Sequence, residues 1–110
     1  MNKTIGNKTT NPITKRLKEA REKAGISQKK LGIAAGIDEF SSSARMNQYE
    51  TGKHTPDFAT LARIAKVLKV HTAYFYAEDD LLAEIISLYS KLNKTKQKEL
   101  LATIIKQIAT

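Results

Sequence analysis

Between positions 13 and 108 the apolar residues of this chain recur three and four positions apart, and no clear apolar–polar alternation sets in anywhere. That spacing is the period of a helix buried on one face, whereas a half-buried strand needs a period of two. An all-α fold is expected. The punctuation agrees, because Pro12 and Pro56 are the only prolines and each stands where a helical pattern begins. Asn11-Pro12 opens a helix through Ile13, Leu17, Ala20, Arg21 and Ala24, which Gly25 stops. Ser27 caps a short helix over 28–35 that Gly36 closes. Thr55-Pro56 caps a helix whose apolar face is Phe58, Leu61, Ile64, Ala65, Val67 and Leu68. Thr72 then caps the aromatic turn Ala73-Tyr74-Phe75-Tyr76. The acidic trio Glu78-Asp79-Asp80 suits the start of a further helix, which carries Leu81, Leu82, Ile85, Ile86, Leu88, Tyr89 and Leu92. After a break at 93–95, a last helix carries Leu100, Leu101, Ile104, Ile105 and Ile108.

With 110 residues there is room for one modest core. Charge is unevenly spread along it. Residues 1–37 hold nine basic and two acidic side chains, 38–75 hold five and four, and 76–110 hold five and five. The first third is thus suited to meet a polyanion, either nucleic acid or an anionic membrane surface, and the last third is neutral. The helix over 12–24 has too narrow an apolar face for a membrane-surface helix, and no apolar run is long enough to span a bilayer. Cysteine is absent, which removes disulfides, thiolate metal sites and cysteine nucleophiles and fits a reducing cytosol. His54 and His71, seventeen residues apart, make no recognisable metal spacing, and no phosphate-cradling glycine loop occurs. No enzyme, metal site or cofactor is expected. His54 reads as a backbone contact or a solvated residue, and His71 as structural or solvated.

Residues 25–53 contain the most specific pattern. Ile26-Ser27-Gln28, Leu31, Gly36, Tyr49-Glu50, Gly52-Lys53 and Pro56, followed by the helix over 61–68, resemble the Cro/repressor-type (XRE) helix-turn-helix family. The resemblance covers residues 13–76. It implies a five-helix repressor-like bundle, here with a C-terminal helical extension. The corresponding function is a sequence-specific, duplex-DNA-binding transcriptional regulator of bacterial or phage type, working in the cytosol or nucleoid. It further implies a buried ion pair between Arg21 and Glu50, tying the first helix to the end of the third. The organisation expected is a flexible basic arm over 1–11, the DNA-binding domain over 12–77 and a C-terminal helical pair over 78–110.

A recognition helix must show an apolar face to its own domain and a polar one to the major groove. Met46 and Tyr49 point inward, while Ser43, Arg45, Asn47 and Gln48 lie at least partly outward. Asn47 and Gln48 have the paired donor and acceptor that suit adenine, and the Arg45 fork suits guanine unless Asp38 or Glu39 claims it. Gln28 can offer its amide and free backbone N–H groups to phosphate, and Lys53 follows the helix-ending glycine as a phosphate contact. The small residues Gly32 and Ala35 let two helices approach closely. The expected DNA-binding set is Gln28, Lys29, Ser42, Ser43, Arg45, Asn47, Gln48 and Lys53.

One stretch departs from the family pattern, since the distance from Gly36 to Ser43 exceeds the turn of about 3–4 residues that the motif requires. The excess reads as an inserted loop over 38–41, with Ser42 or Ser43 as the N-cap and the Phe40 ring tucked against the domain. Beyond the motif, Leu81, Ile85, Leu88 and Leu92, then Leu101, Ile104 and Ile108, form apolar stripes. These either fold back on the bundle or form a two-fold homodimer, which would demand a pseudo-palindromic double-stranded operator. The competing functions are a protein-interaction module and an antitoxin built on the same fold.

Overall fold

A computed structural model describes residues 11–109, and all its regular structure is helical. The elements are α1 (Pro12–Ala24), α2 (Gln28–Ala34), α3 (Glu39–Thr51), α4 (Phe58–Leu68), a 3-10 turn (Thr72–Tyr76), α5 (Asp80–Ser90) and α6 (Lys94–Ala109). The arm over 1–11 lies, apart from Asn11, outside the described residues. Asn11 Oδ1 accepts the Ile13 N–H at 3.0 Å, with Pro12 in the first turn, so α1 begins as its sequence requires. Ser27 caps α2 through the Lys30 N–H at 3.1 Å. Leu17, Leu31, Met46, Leu61, Ile64 and Phe75 are fully enclosed where α1–α4 and the 3-10 turn converge. Tyr74 meets Phe75 edge-on, 5.4 Å between ring centres.

The packing of α2 on α3 depends on Gly32. A Cβ there would lie 2.0 Å from Ser42 Oγ and 3.0 Å from Met46 Cγ. Ser42 fills the space instead, donating its hydroxyl to the Lys29 carbonyl at 2.7 Å. Each helix gives up side-chain volume where the two cross, and the backbones come together.

Four sequence expectations need correction. The stretch over 38–41 is no loop: Asp38 is the N-cap, its carboxylate accepts the Phe40 N–H at 3.0 Å, and α3 begins at Glu39. The extra residues amount to about one helical turn, so they lengthen α3 instead of bulging from it. Phe40 is not tucked in, being 98% exposed. At α4 the cap is Asp57, which accepts the Thr60 N–H at 2.8 Å; Pro56 is buried before the helix, and Phe58 in its first turn faces water. The 3-10 turn is capped by His71, whose Nδ1 accepts the Ala73 N–H at 3.1 Å, rather than by Thr72. His71 is therefore structural.

Arg16 joins the bundle to the C-terminal pair. Its side chain is almost wholly buried, yet each of its three nitrogens has a partner: Nε meets the Ala77 carbonyl at 2.8 Å, Nη2 the Glu78 carbonyl at 3.1 Å, and Nη1 the carboxylates of Asp80 and Glu19. Asp79 caps α5 through the Leu82 N–H, and Ala83 is buried against the bundle. The junction expected at 77/78 is thus crossed by hydrogen bonds, and the first turn of α5 packs with the bundle. At the far end Gln97 donates to the carbonyls of Tyr89 and Leu92 while Asn93 caps α6, which fixes the elbow between the last two helices. Yet α6 buries none of its residues.

Candidate nucleic-acid interface

The candidate surface is the outer face of α3 with the N-terminus of α2. Along α3, Ser42, Met46, Tyr49 and Glu50 point into the domain, and this inward stripe fixes what the opposite side presents. Ser43, Ala44, Arg45, Asn47 and Thr51 are exposed and Gln48 is half-buried. At about 100° per residue, Ala44 and Gln48 follow one line down the outer face, with Arg45 and Asn47 on opposite flanks. Gly52, at φ +84°, ends the helix in the left-handed region that favours glycine. The His54 N–H then bonds back to the Gln48 carbonyl at 3.2 Å, which sets Lys53 just past the helix end.

Behind this face runs a polar network. Arg21 grips the Glu50 carboxylate through Nε at 2.5 Å and Nη2 at 3.1 Å, with Nη1 on the Ile26 carbonyl at 3.0 Å. The Glu50 side chain is 2% exposed and that of Arg21 14%, so this is a buried bidentate pair, as the family resemblance implies. The hydrogen bond that Arg21 donates to Glu50 raises its guanidinium above the ordinary pKa, outweighing burial, which acts the other way. Gln28 extends the network outward, its Nε2 donating to Glu50 at 3.0 Å and to Asn47 Oδ1 at 3.3 Å. The ion pair thereby holds α1 to α3 and aims Gln28 and Asn47 together.

The expected contact residues separate into three groups. Gln28, Asn47, Gln48 and Ser43 come together on one surface. Lys29, Arg45 and Lys53 stand exposed around it, and among the described residues Arg45 forms no ion pair with Asp38 or Glu39. Ser42 does not belong in the set, because it is completely buried and its hydroxyl is spent on Lys29. Sequence reasoning missed the link from Gln28 to Glu50, as well as Arg63, whose Nε holds the Ala35 carbonyl at 2.8 Å where α2 ends. The signal for Arg63 was present in its spacing, one residue from the buried Ile64 and at the edge of the apolar face.

Comparison with known proteins places this geometry. A family model described as helix-turn-helix matches residues 17–75, more than half of the chain. The HTH-type transcriptional regulator ImmR of Bacillus subtilis (strain 168) is 34% identical over 68 residues, covering 62% of this chain and 50% of that protein. The chain therefore spans about half the length of the curated relative it matches. The crystal structure of the transcriptional regulator BswR matches with a TM-score of 0.80 at 49% identity, covering 87% of this chain and 95% of that one.

Proposed function

The chain belongs to the Cro/repressor-type helix-turn-helix family, and from that premise we propose that it is a transcriptional regulator that reads duplex DNA through α3. The observation that carries this reading is the state of the outer face of α3. Asn47 is presented by a network rooted in a buried ion pair, while Arg45 and Lys53 stand exposed without ion pairs among the described residues. Gln48 on the central line and Asn47 on its flank suit adenine, Arg45 suits guanine or phosphate, and Lys29 and Lys53 suit phosphate. Gln28 lies at the α2 N-terminus, where free N–H groups favour an anion.

The C-terminal pair supplies the second copy. Leu81, Ile85, Leu88, Leu101 and Ile108 are more than half exposed, and α5 and α6 enclose an apolar groove of about 440 Å³ lined by Ile86, Tyr89 and Ile104. Equal numbers of acidic and basic side chains over 76–110 remove any pull toward DNA. A two-fold dimer through this face would set two α3 helices about 34 Å apart on successive major grooves of a pseudo-palindromic operator, in the cytosol or nucleoid of a bacterium.

Binding-site selection from randomised duplexes, followed by affinity measurements across salt concentrations, tests the reading. Arg45→Ala and Gln48→Ala should each cost about 1–3 kcal/mol on the selected site and relax preference at one base pair. Lys53→Ala should weaken all duplexes alike and flatten the salt slope. Unchanged affinity and preference in the Arg45 and Gln48 variants would remove α3 from the interface.

A further inference from the structure

We infer that Phe40, at the tip of α3, reads sequence by packing its ring on the 5-methyl group of a thymine in the major groove. This rests on the reading of α3 as the duplex-facing helix and extends it to the turn that lengthens that helix. Phe40 is the most exposed of the large apolar residues described, at 98%. It sits on a fixed backbone, with its N–H on the Asp38 carboxylate and the Ser41 N–H on the Asp38 carbonyl at 3.1 Å. Position 40 precedes Ala44 by four residues and Asn47 by seven, so the ring continues the exposed line that runs toward Gln28.

The surroundings of the ring select its partner. Asp38 and Glu39 beside it are exposed carboxylates, which repel phosphate, so the tip does not anchor on the DNA backbone. A carboxylate is at home there, since it accepts from the cytosine amino group. Among the base edges of the major groove, only the thymine methyl is apolar. A protein partner is disfavoured, because a hot-spot aromatic sits within an apolar surround and the sequence neighbours Asp38, Glu39, Ser41 and Ser43 are all polar.

The test uses the whole chain and its selected site. Each thymine of the site is replaced in turn by deoxyuridine, which deletes only the methyl group. At one thymine per half-site the unmodified protein should lose about fourfold in affinity, the worth of one buried methyl-sized group. Phe40→Ala should bind the thymine site more weakly and be indifferent to that replacement, while Phe40→Leu should keep part of the sensitivity. Both variants should melt as the parent does, since the ring packs on nothing. A selected site bound by Phe40→Ala with undiminished affinity and the same deoxyuridine profile overturns the inference alone. Failure of the unmodified chain to prefer any duplex overturns it together with the reading of α3.

Discussion

In α1–α4 and the 3-10 turn, Leu17, Leu31, Met46, Leu61, Ile64 and Phe75 are shielded from water, whereas along α5 and α6 Leu81, Ile85, Leu88, Leu101 and Ile108 stand mostly exposed. Both regions repeat aliphatic residues at helical spacing. They differ in what meets that face. The bundle closes on itself because Gly32, Ser42 and Ala35 let α2 approach its neighbours and because Arg16, Arg21 and Arg63 satisfy backbone and side-chain groups where helices end. Of the pair only α5 is tied into that closure, at its start through Ala83 and the Asp80 contacts to Lys15 and Arg16 and at its end through Ser90, whose hydroxyl oxygen accepts the His71 N–H at 2.9 Å. Helical periodicity therefore tells which side chains want burial. Whether a chain buries them alone depends on the small residues and polar ties that let helices converge.

Substituting large apolar side chains in each region tests this contrast most forcefully. Phe75→Ala should cost about 3–5 kcal/mol in urea unfolding at any protein concentration. Leu101→Ala should cost about 0.5 kcal/mol or less in dilute protein, where the monomer prevails. Its cost should rise with concentration as the second copy covers it. A concentration-independent loss of several kcal/mol at Leu101 would mean that the C-terminal pair is closed within one chain.

The ion pair tests the bundle's polar side. Arg21→Ala leaves the enclosed Glu50 carboxylate without its cation and should cost about 3–5 kcal/mol. A double-mutant cycle with Glu50→Ala should show strong coupling, because the second change removes the stranded charge. Coupling near zero would mean that the link from α1 to α3 resides in apolar packing alone.

Acid probes the seam between the regions and should have the smallest effect. Hydrogen bonds and charge from Lys15 and Arg16 hold Asp80 below the usual carboxylate range, and the Thr60 backbone N–H does the same for Asp57. A carboxylate whose pKa is lower folded than unfolded contributes stability above its unfolded value of about 3.9 and loses it as pH falls through the folded value. Stability should thus decline from about pH 4 downward, with α5 loosening first. Hydrogen exchange along α5 is the measurement, and Asp80→Asn should blunt its acid sensitivity. Protection of the α5 amides, relative to their intrinsic exchange at each pH, that stays unchanged to pH 2 would take Asp80 out of the seam.

Much of this molecule was legible in its sequence. The helix starts at Asn11-Pro12 and Ser27, the stop at Gly52, the inward pair Met46 and Tyr49, and the close approach at Gly32 all appear as local chemistry predicts. The start of α3 was not legible. Residues 38–43 offer no apolar period, and three consecutive serines read equally well as caps or as helix. What decides it is tertiary, since Ser42 seats its hydroxyl on Lys29 only if the helix has already begun. Arg16 was hidden for a related reason, because a charged residue in an amphipathic helix reads as solvated until the carbonyls of Ala77 and Glu78 arrive from far along the chain. Of the candidate interface, the exposed side chains of α3 could be named from spacing. Their coupling to Glu50 through Gln28 could not, as it joins three elements.

Sedimentation equilibrium of the unmodified chain at micromolar concentration most directly tests whether the C-terminal pair holds a second copy and so leaves two bundles free to meet one duplex. The account predicts a species of twice the 12.3 kDa chain mass that dissociates on dilution and is lost when Leu101 and Ile104 are both changed to Glu. A single 12.3 kDa species at every concentration, with and without DNA, would contradict it.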